Sequence, residues 1–164
     1  MKEYGKYKVS LNAEKRTYDG IIFDSVQEMN YYTDIILPGV ESGFIVSFER
    51  QKRYVLQNAF LREGKKVLPI EYKADFYVEY ANGKKQVIDI KGCADPLAKT
   101  KRKMFWYVYP DIDYIWLSYS KIDGGWVTYE DKQNGIKQRK KIKMEEKRRL
   151  EDEKKSKKSN KSAR

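Results

Sequence analysis

Apolar and polar residues alternate along residues 71–80, and this period of two predicts a β-strand with one face on a core. The apolar face would carry Tyr72, Ala74, Phe76, Val78 and Tyr80. An Asn82-Gly83 pair follows, which is typical of a tight hairpin turn. Residues 86–91 are more continuously apolar, as expected of a central strand. We therefore predict that residues 71–80 and 86–91 form a hairpin.

Two further segments repeat apolar residues at helical spacing. The first begins at Ser25, a predicted cap with Glu28 three residues later, and is predicted to end at Pro38-Gly39. The second begins with Asp95 as its cap and Pro96 in the first turn. Shorter apolar runs predict strands at residues 44–48, 54–56, 114–117 and 124–127. This order predicts an α/β fold in which a mixed sheet of four or five strands is flanked by helices.

Positive charge is concentrated at the C-terminal end. The chain has a formal net charge of +11, and residues 132–164 contain 15 Lys and Arg against 5 Asp and Glu. We expect an N-terminal arm at 1–19, a domain at 20–131 and a basic, partly helical tail at 132–164. Basic tails commonly bind nucleic acid through electrostatic attraction. The alternative is a solvated tail that only aids solubility.

The chain contains no histidine and one cysteine, Cys93, and this excludes several reaction classes. Neither a Ser-His-Asp triad nor a Cys-His pair can form, and a structural zinc site is excluded in practice. A single thiol fits a reducing cytoplasm, and no apolar stretch suits a signal core or a membrane span. Hydrolysis would have to use carboxylates, lysine, tyrosine and a metal ion.

Asp75, Asp89 and Lys91 lie on the polar positions of the predicted hairpin. A period of two puts Asp89 and Lys91 on the same side of their strand, and hairpin pairing brings Asp75 towards Asp89. Two carboxylates suit Mg²⁺, with Mn²⁺ as a substitute, and the lysine can orient a metal-bound water. Asp89 interrupts an apolar strand, and a buried acid needs compensation. Spacing alone leaves open a surface ion pair on an exposed strand face.

These segments resemble the PD-(D/E)XK nuclease superfamily, which has the restriction-endonuclease-like fold. More narrowly, residues 23–28, 74–76 and 88–92 resemble small phage-encoded endonucleases of the Holliday-junction-resolvase-like type. The resemblance covers roughly residues 20–118. The chain departs from the family pattern at Ala74, where the superfamily name has proline, and at Asp89, where glutamate is commoner.

The resemblance implies an Mg²⁺-dependent endodeoxyribonuclease that cuts branched DNA, such as Holliday junctions or flaps. It further implies a phage homodimer in the bacterial host cytoplasm. The implied metal ligands are Asp75, Asp89, the backbone carbonyl of Ile90 and Glu28, while Lys91 would position or activate the attacking water. A helix-capping role alone would also explain Glu28.

The second predicted helix carries candidate contacts to the DNA backbone. These are Lys99, Arg102 and Lys103, for which a solvated helix face is the alternative. Two other functions stay open from the sequence. One is a non-catalytic basic nucleic-acid-binding protein, and the other is a nuclease of the same fold that acts on RNA or linear DNA.

Overall fold

The structure, a computed structural model, describes residues 12–162 and, for residues 155–162, the backbone alone. Residues 1–11 of the predicted arm lie outside the described residues. The first elements are a 3₁₀ turn Glu14–Arg16, β1 Thr17–Tyr18, β2 Ile21–Ile22, α1 Val26–Tyr31, a π-helical segment Tyr32–Ile36 and α2 Leu37–Glu41. Then follow β3 Ile45–Arg50, β4 Arg53–Gln57, β5 Phe60–Arg62, β6 Lys65–Val67, β7 Ile70–Lys73, β8 Phe76–Tyr80 and β9 Lys85–Ile90. The last elements are α3 Pro96–Val108, β10 Asp113–Ser120, a 3₁₀ turn Lys121–Asp123, β11 Gly125–Thr128 and α4 Tyr129–Ser162.

The mixed sheet and its helices confirm the predicted α/β class. The chain divides into two compact units, Met1–Tyr119 and Ser120–Arg164. In the first unit, strands of the mixed sheet lie in the order β10-β9-β8-β3. β9 runs antiparallel to β8 and parallel to β10, and α3 forms the crossover that a parallel pair requires. Strand β9 thus lies between two neighbours, which explains why its residues from 86 to 90 are all buried.

The predicted hairpin between β8 and β9 is confirmed. Gly83 has a φ of 82°, a conformation that glycine adopts without a steric penalty. The Asn82 side chain accepts a hydrogen bond from the Lys84 amide at 3.0 Å, and the Tyr80 amide donates to the Lys84 carbonyl at 2.9 Å. The turn therefore fixes the register in which Phe76 pairs with Ile88.

The prediction of one continuous strand over 71–80 is wrong, because the chain bends at Ala74 and Asp75. β7 pairs with β4 in a two-stranded sheet, whereas β8 pairs with β3 and β9. The facing chain bends at the same place: Gln51 has a φ of 58°, its amide donates to the Asp75 carbonyl, and the Ala74 amide donates to the Lys52 carbonyl. The apolar alternation continues across the bend, so periodicity alone does not reveal it.

The first helical region passes the predicted end at Pro38-Gly39 and continues to Glu41. Proline has no amide hydrogen to donate, and the π-helical segment ahead of α2 brings Pro38 into the first turn of that helix. The region ends at Gly43, which has a φ of 74° and donates its amide to the Val40 carbonyl at 3.0 Å. Ile36, in the widened segment, is fully buried.

An aromatic cluster anchors α3 to the rest of the first unit. Phe105 is fully buried, and its ring centroid lies 4.5–6.1 Å from those of Tyr54, Tyr72, Tyr109 and Tyr114. Lys101 adds a polar contact, because its ammonium donates to the Glu71 carbonyl on β7 at 2.8 Å. These contacts fix the crossover helix that follows β9.

The second unit contains β11 and the long helix α4, which confirms the helical C-terminal tail. Thr128 caps this helix, accepting a hydrogen bond from the Asp131 amide at 3.1 Å. Asp123 accepts two hydrogen bonds from the Arg139 guanidinium, at 2.5 and 3.1 Å. Across residues 12–162, no helix combines the length and the apolarity needed to cross a membrane.

Gly39→Ala should destabilise the protein, although alanine normally favours a helix by up to about 1 kcal/mol over glycine. A Cβ at this position would lie 2.6 Å from Cδ1 of the buried Ile45. Overpacking of this kind costs about 1–3 kcal/mol, measurable by urea unfolding. In a double-mutant cycle, Ile45→Val removes that methyl group and should reduce the cost. A stabilising effect of Gly39→Ala would contradict the contact.

Candidate functional site

The four charged residues singled out in the sequence meet at the end of β9. Glu28 lies in the first turn of α1, Asp75 in the bend between β7 and β8, Asp89 within β9, and Lys91 directly after it. The β8–β9 pairing, continued by one residue, places Asp75 opposite Asp89. The charges within this group shift the pKa values of Glu28, Asp75 and Lys91, as expected for side chains that lie close together.

Asp75 is fixed by the backbone of the next strand. Its Oδ2 accepts a hydrogen bond from the Ile90 amide at 2.7 Å. The amide of Ile90 is therefore the group that contacts Asp75, while its carbonyl as a metal ligand stays a prediction. Ile90 itself is 7% exposed, so this hydrogen bond is largely shielded from water.

Asp89 and Lys91 form an ion pair inside the protein. Asp89 is 1% exposed, and its Oδ2 contacts the Lys91 ammonium. No hydrogen bond of ordinary geometry reaches this buried oxygen from residues 12–162, so the neighbouring ammonium is what offsets its charge. The Lys91 backbone is held by β10, where its amide donates to the Leu117 carbonyl at 2.7 Å and Ser118 Oγ donates to its carbonyl.

Glu28 is hydrogen-bonded to Ser25, the cap of α1, and also faces the other acids. Its amide donates to Ser25 Oγ at 3.1 Å, and the same hydroxyl donates to Glu28 Oε1 at 3.1 Å. The side chain is buried, and burial together with the negative charges of Asp24 and Asp89 raises the pKa of Glu28 to about 7. Capping and a place at the site are thus compatible.

Mutual repulsion shapes the remaining pKa values. Burial raises the pKa of Asp75 well above its ordinary value, and the charges of Asp89 and Glu28 raise it further against the opposing effects of the Ile90 amide and Lys91. Burial lowers the pKa of Lys91, but the three carboxylates outweigh it and the net shift is upward. The three carboxyl groups outnumber the single ammonium, and a cluster of this kind attracts cations.

The donor chemistry of this cluster fits a hard divalent cation. Carboxylate oxygens are the ligands that Mg²⁺ prefers, and Asp89 Oδ2 is a buried oxygen without a hydrogen bond. Among the side chains that the structure describes, in residues 12–154, no three from Asp, Glu, Cys or His converge into a complete metal site. Mg²⁺ commonly takes one or two carboxylates and completes its shell with waters and substrate phosphate. Asp75 and Asp89 fit that smaller ligand set.

Two charged residues beside the cluster, Asp24 and Lys73, were not assigned a role from the sequence. Asp24 Oδ2 lies 3.3 Å from Lys73 Nζ and 3.4 Å from Gln51 Nε2. Asp24 directly precedes the cap Ser25, and Lys73 directly precedes the bend at Ala74, so both lie beside recognisable motifs. Their contact depends on α1 approaching the bend, which no local pattern predicts.

The three candidate DNA-binding residues on α3 differ in their surroundings. Lys99 and Lys103 are exposed. The Arg102 guanidinium lies over the rings of Trp106 and Trp116, 4.5 and 4.0 Å from their centroids. Arg102 is therefore partly buried by stacking, whereas the two lysines are accessible to a phosphate.

A family model described as "Protein of unknown function (DUF1064)" matches residues 6–123. The chain belongs to this family. The matched region includes Glu28, Asp75, Asp89 and Lys91 and ends before α4. No curated protein and no solved structure matches the chain. The family description names no activity, so function has to be inferred from the geometry of the site.

Glu28→Gln should remove a pH-dependent loss of stability in the metal-free protein. The pKa of Glu28 is raised from 4.5 to about 7 in the folded state, so stability present below pH 4.5 is lost as the pH rises towards 7. The variant should match the wild type near pH 4 and exceed it above pH 7 by up to about 3 kcal/mol. Urea unfolding at both pH values measures the difference.

The control for this prediction is Glu41→Gln, which changes an exposed carboxylate at the end of α2. It measures what the removal of one exposed carboxylate does to stability at each pH. If Glu28→Gln has the same effect at both, burial beside Asp24 and Asp89 does not disfavour the ionised form of Glu28.

Proposed function

We propose that this chain is an Mg²⁺-dependent endonuclease that hydrolyses phosphodiester bonds in DNA, with branched DNA as the expected substrate. The observation that carries the proposal is the grouping of Asp75, Asp89 and Lys91 at the end of β9, where Asp89 Oδ2 is buried without a hydrogen bond. A stable fold does not need this excess of buried negative charge. A hydrolytic site that uses a cation does need it.

In this proposal, Asp75 and Asp89 hold the cation, and Glu28 contacts it directly or through water. The bound cation would acidify the attacking water and neutralise charge on the phosphate. Lys91 positions that water or stabilises the developing negative charge. Its backbone contacts to β10 support such a role, because they fix the start of a long, flexible side chain.

DNA binding would use positive charge away from the acids. Lys99 and Lys103 are exposed on α3 and suit contacts to phosphates. The basic tail, most of which forms α4, supplies a further electrostatic contribution. Cleavage at two symmetric positions of a junction requires two sites, so we propose a homodimer as the acting form.

The charge of α4 also favours a second candidate, a non-catalytic nucleic-acid-binding protein. Such a protein would bind through basic side chains and would retain binding in EDTA. A binding protein of this kind does not require a buried acid beside a lysine. Nuclease activity on RNA or linear DNA would use the same residues and differ only in substrate.

Lys91→Ala should abolish cleavage of an end-labelled four-way DNA junction in Mg²⁺, with a fall in rate of about 100-fold or more. Loss of the ammonium removes the group that contacts Asp89 and that, in this proposal, positions the attacking water. A linear duplex of the same sequence and an RNA duplex, assayed in parallel, identify the substrate class.

The matched control is Lys85→Ala, at the opposite end of the same strand. Its side chain is exposed and pairs with Glu79, so its removal should leave cleavage nearly unchanged. If neither DNA nor RNA is cut by the wild type while binding persists in EDTA, the binding protein replaces the nuclease.

Asp75→Asn should raise the melting temperature of the metal-free protein and abolish the further rise on adding Mg²⁺. Asparagine keeps an oxygen to accept the Ile90 amide but removes one of the repelling charges. Each kcal/mol gained shifts the melting temperature by about 2–4 °C in a protein of this size. Asp111→Asn, at an exposed position, is the control. An Mg²⁺-induced rise that persists in Asp75→Asn would exclude Asp75 as a ligand.

A further inference from the structure

Trp106 on α3 is a large aromatic residue that stays half-exposed. Its exposed fraction is 44%, whereas Phe105, directly before it, is fully buried in the aromatic cluster. The Arg102 guanidinium lies 4.5 Å from the centroid of the Trp106 ring, which is the distance of a cation–π contact. The indole is therefore supported by a cation, while a large part of its surface is accessible to solvent.

Arg102 links Trp106 to the candidate site. The same guanidinium lies 4.0 Å from the centroid of the buried Trp116 ring. Trp116 is the register partner of Asp89 across β9 and β10. The Lys91 ammonium lies 5.7 Å from the centroid of the Trp116 ring. A series of cation–π contacts thus leads from Lys91 to the exposed indole.

The charge around Trp106 suits a polyanion. The sequence of α3 contains four basic residues and no acidic one. Lys99, Lys103 and Trp106 follow one another at spacings of four and three residues, so they lie on one side of the helix. Both lysines are exposed. Phosphates that bind to these lysines would bring their attached bases to the indole.

An exposed indole beside several cations matches the way in which proteins bind unpaired nucleic acid strands. Such proteins hold the backbone with positive charge and stack the bases on aromatic rings, with further cation–π contributions from arginine. In a duplex, the neighbouring base pairs cover each base, and taking a base out of the stack costs energy. An indole on a helix surface therefore stacks more readily on an unpaired base than on a paired one.

We infer that Trp106 stacks on an unpaired base of the bound DNA and so selects branched or single-stranded DNA over continuous duplex. The inference rests on the DNA binding of the proposed function and adds a residue that selects the substrate. Lys99 and Lys103 hold the flanking phosphates, and Arg102 supports the indole from one side. The selection is independent of base identity, because every base has a π-face.

Tyr119 on β10 offers a matched control for Trp106. Its exposed fraction is also 44%, so its removal takes away an aromatic ring of equal accessibility. It lies three residues after Trp116 on the same strand, and this odd spacing places it on the opposite face of the sheet. Because Trp116 contacts Arg102 of α3, Tyr119 faces away from the basic helix.

The test is binding of the whole chain, in EDTA, to three DNAs: a duplex with an unpaired flap, the same flap with abasic sugars, and a continuous duplex. EDTA removes the cation that the proposed site needs for cleavage, so binding is measured alone. Trp106→Ala should raise the Kd for the flap DNA by about 5–150-fold, the usual effect of losing one base stack. The Kd for the duplex should stay within about twofold. Trp106→Phe should recover much of the affinity, because phenylalanine also stacks.

The abasic flap tests the contact with a base directly, because it keeps the phosphates and lacks the bases. The wild type should bind it about as weakly as Trp106→Ala binds the normal flap. Trp106→Ala should lose no further affinity for the abasic flap, since the interacting pair is already broken. Tyr119→Ala should leave all three Kd values within about twofold.

The outcomes separate this inference from the proposed function. An unchanged Kd of Trp106→Ala for the flap overturns the stacking role, whether or not the wild type cuts DNA in Mg²⁺. Equal weakening on flap and duplex also overturns it, because that result indicates damage to α3. Flap binding that depends on Trp106, without cleavage of any nucleic acid in Mg²⁺, supports the stacking role and overturns the nuclease. A wild type that binds none of the three DNAs overturns both.

Discussion

The ion pair of Asp89 with Lys91 is the interaction on which the arrangement of the first unit depends. A carboxylate with 1% exposure, in a strand that has neighbours on both sides, is costly unless a positive charge lies beside it. Lys91 can provide that charge because it directly follows the end of β9 at Ile90. The backbone of Lys91 is hydrogen-bonded to Leu117 and Ser118 of β10. The parallel β9–β10 pair requires the α3 crossover, so the helix, its aromatic anchor and the ion pair form one connected structure.

The same region collects more negative charge than one lysine offsets. The bend at Ala74 and Asp75 places a second acid at the end of β9, and the cap of α1 adds Glu28. Burial and repulsion raise the pKa of both acids, so the ionised form of each carries a cost in stability in the metal-free protein. Such a cost is typical of sites at which a bound cation or substrate relieves it.

The local features of the site follow from the sequence, because each depends on near neighbours in the chain. The Asn82-Gly83 turn, the placing of Asp89 and Lys91 on one side, and the Ser25–Glu28 cap are of this kind. The bend at Asp75 depends on pairing with residues 51 and 52, and the continuation of the helix through Pro38 depends on a π-helical segment. The hydrogen bond from Tyr114 to Tyr72 depends on β10 and β7 meeting, so periodicity predicts that Tyr72 is buried but not what it contacts.

The most direct measurement is an anomalous difference map from crystals of the wild-type protein soaked in Mn²⁺. The account predicts a peak within coordination distance of carboxylate oxygens of both Asp75 and Asp89, with the Lys91 ammonium displaced from Asp89 Oδ2. The carboxylates need not move far, since the Ile90 amide already fixes Asp75. A map without such a peak at millimolar Mn²⁺, with Lys91 still in contact with Asp89, would contradict a cation site and leave the acids with a structural role only.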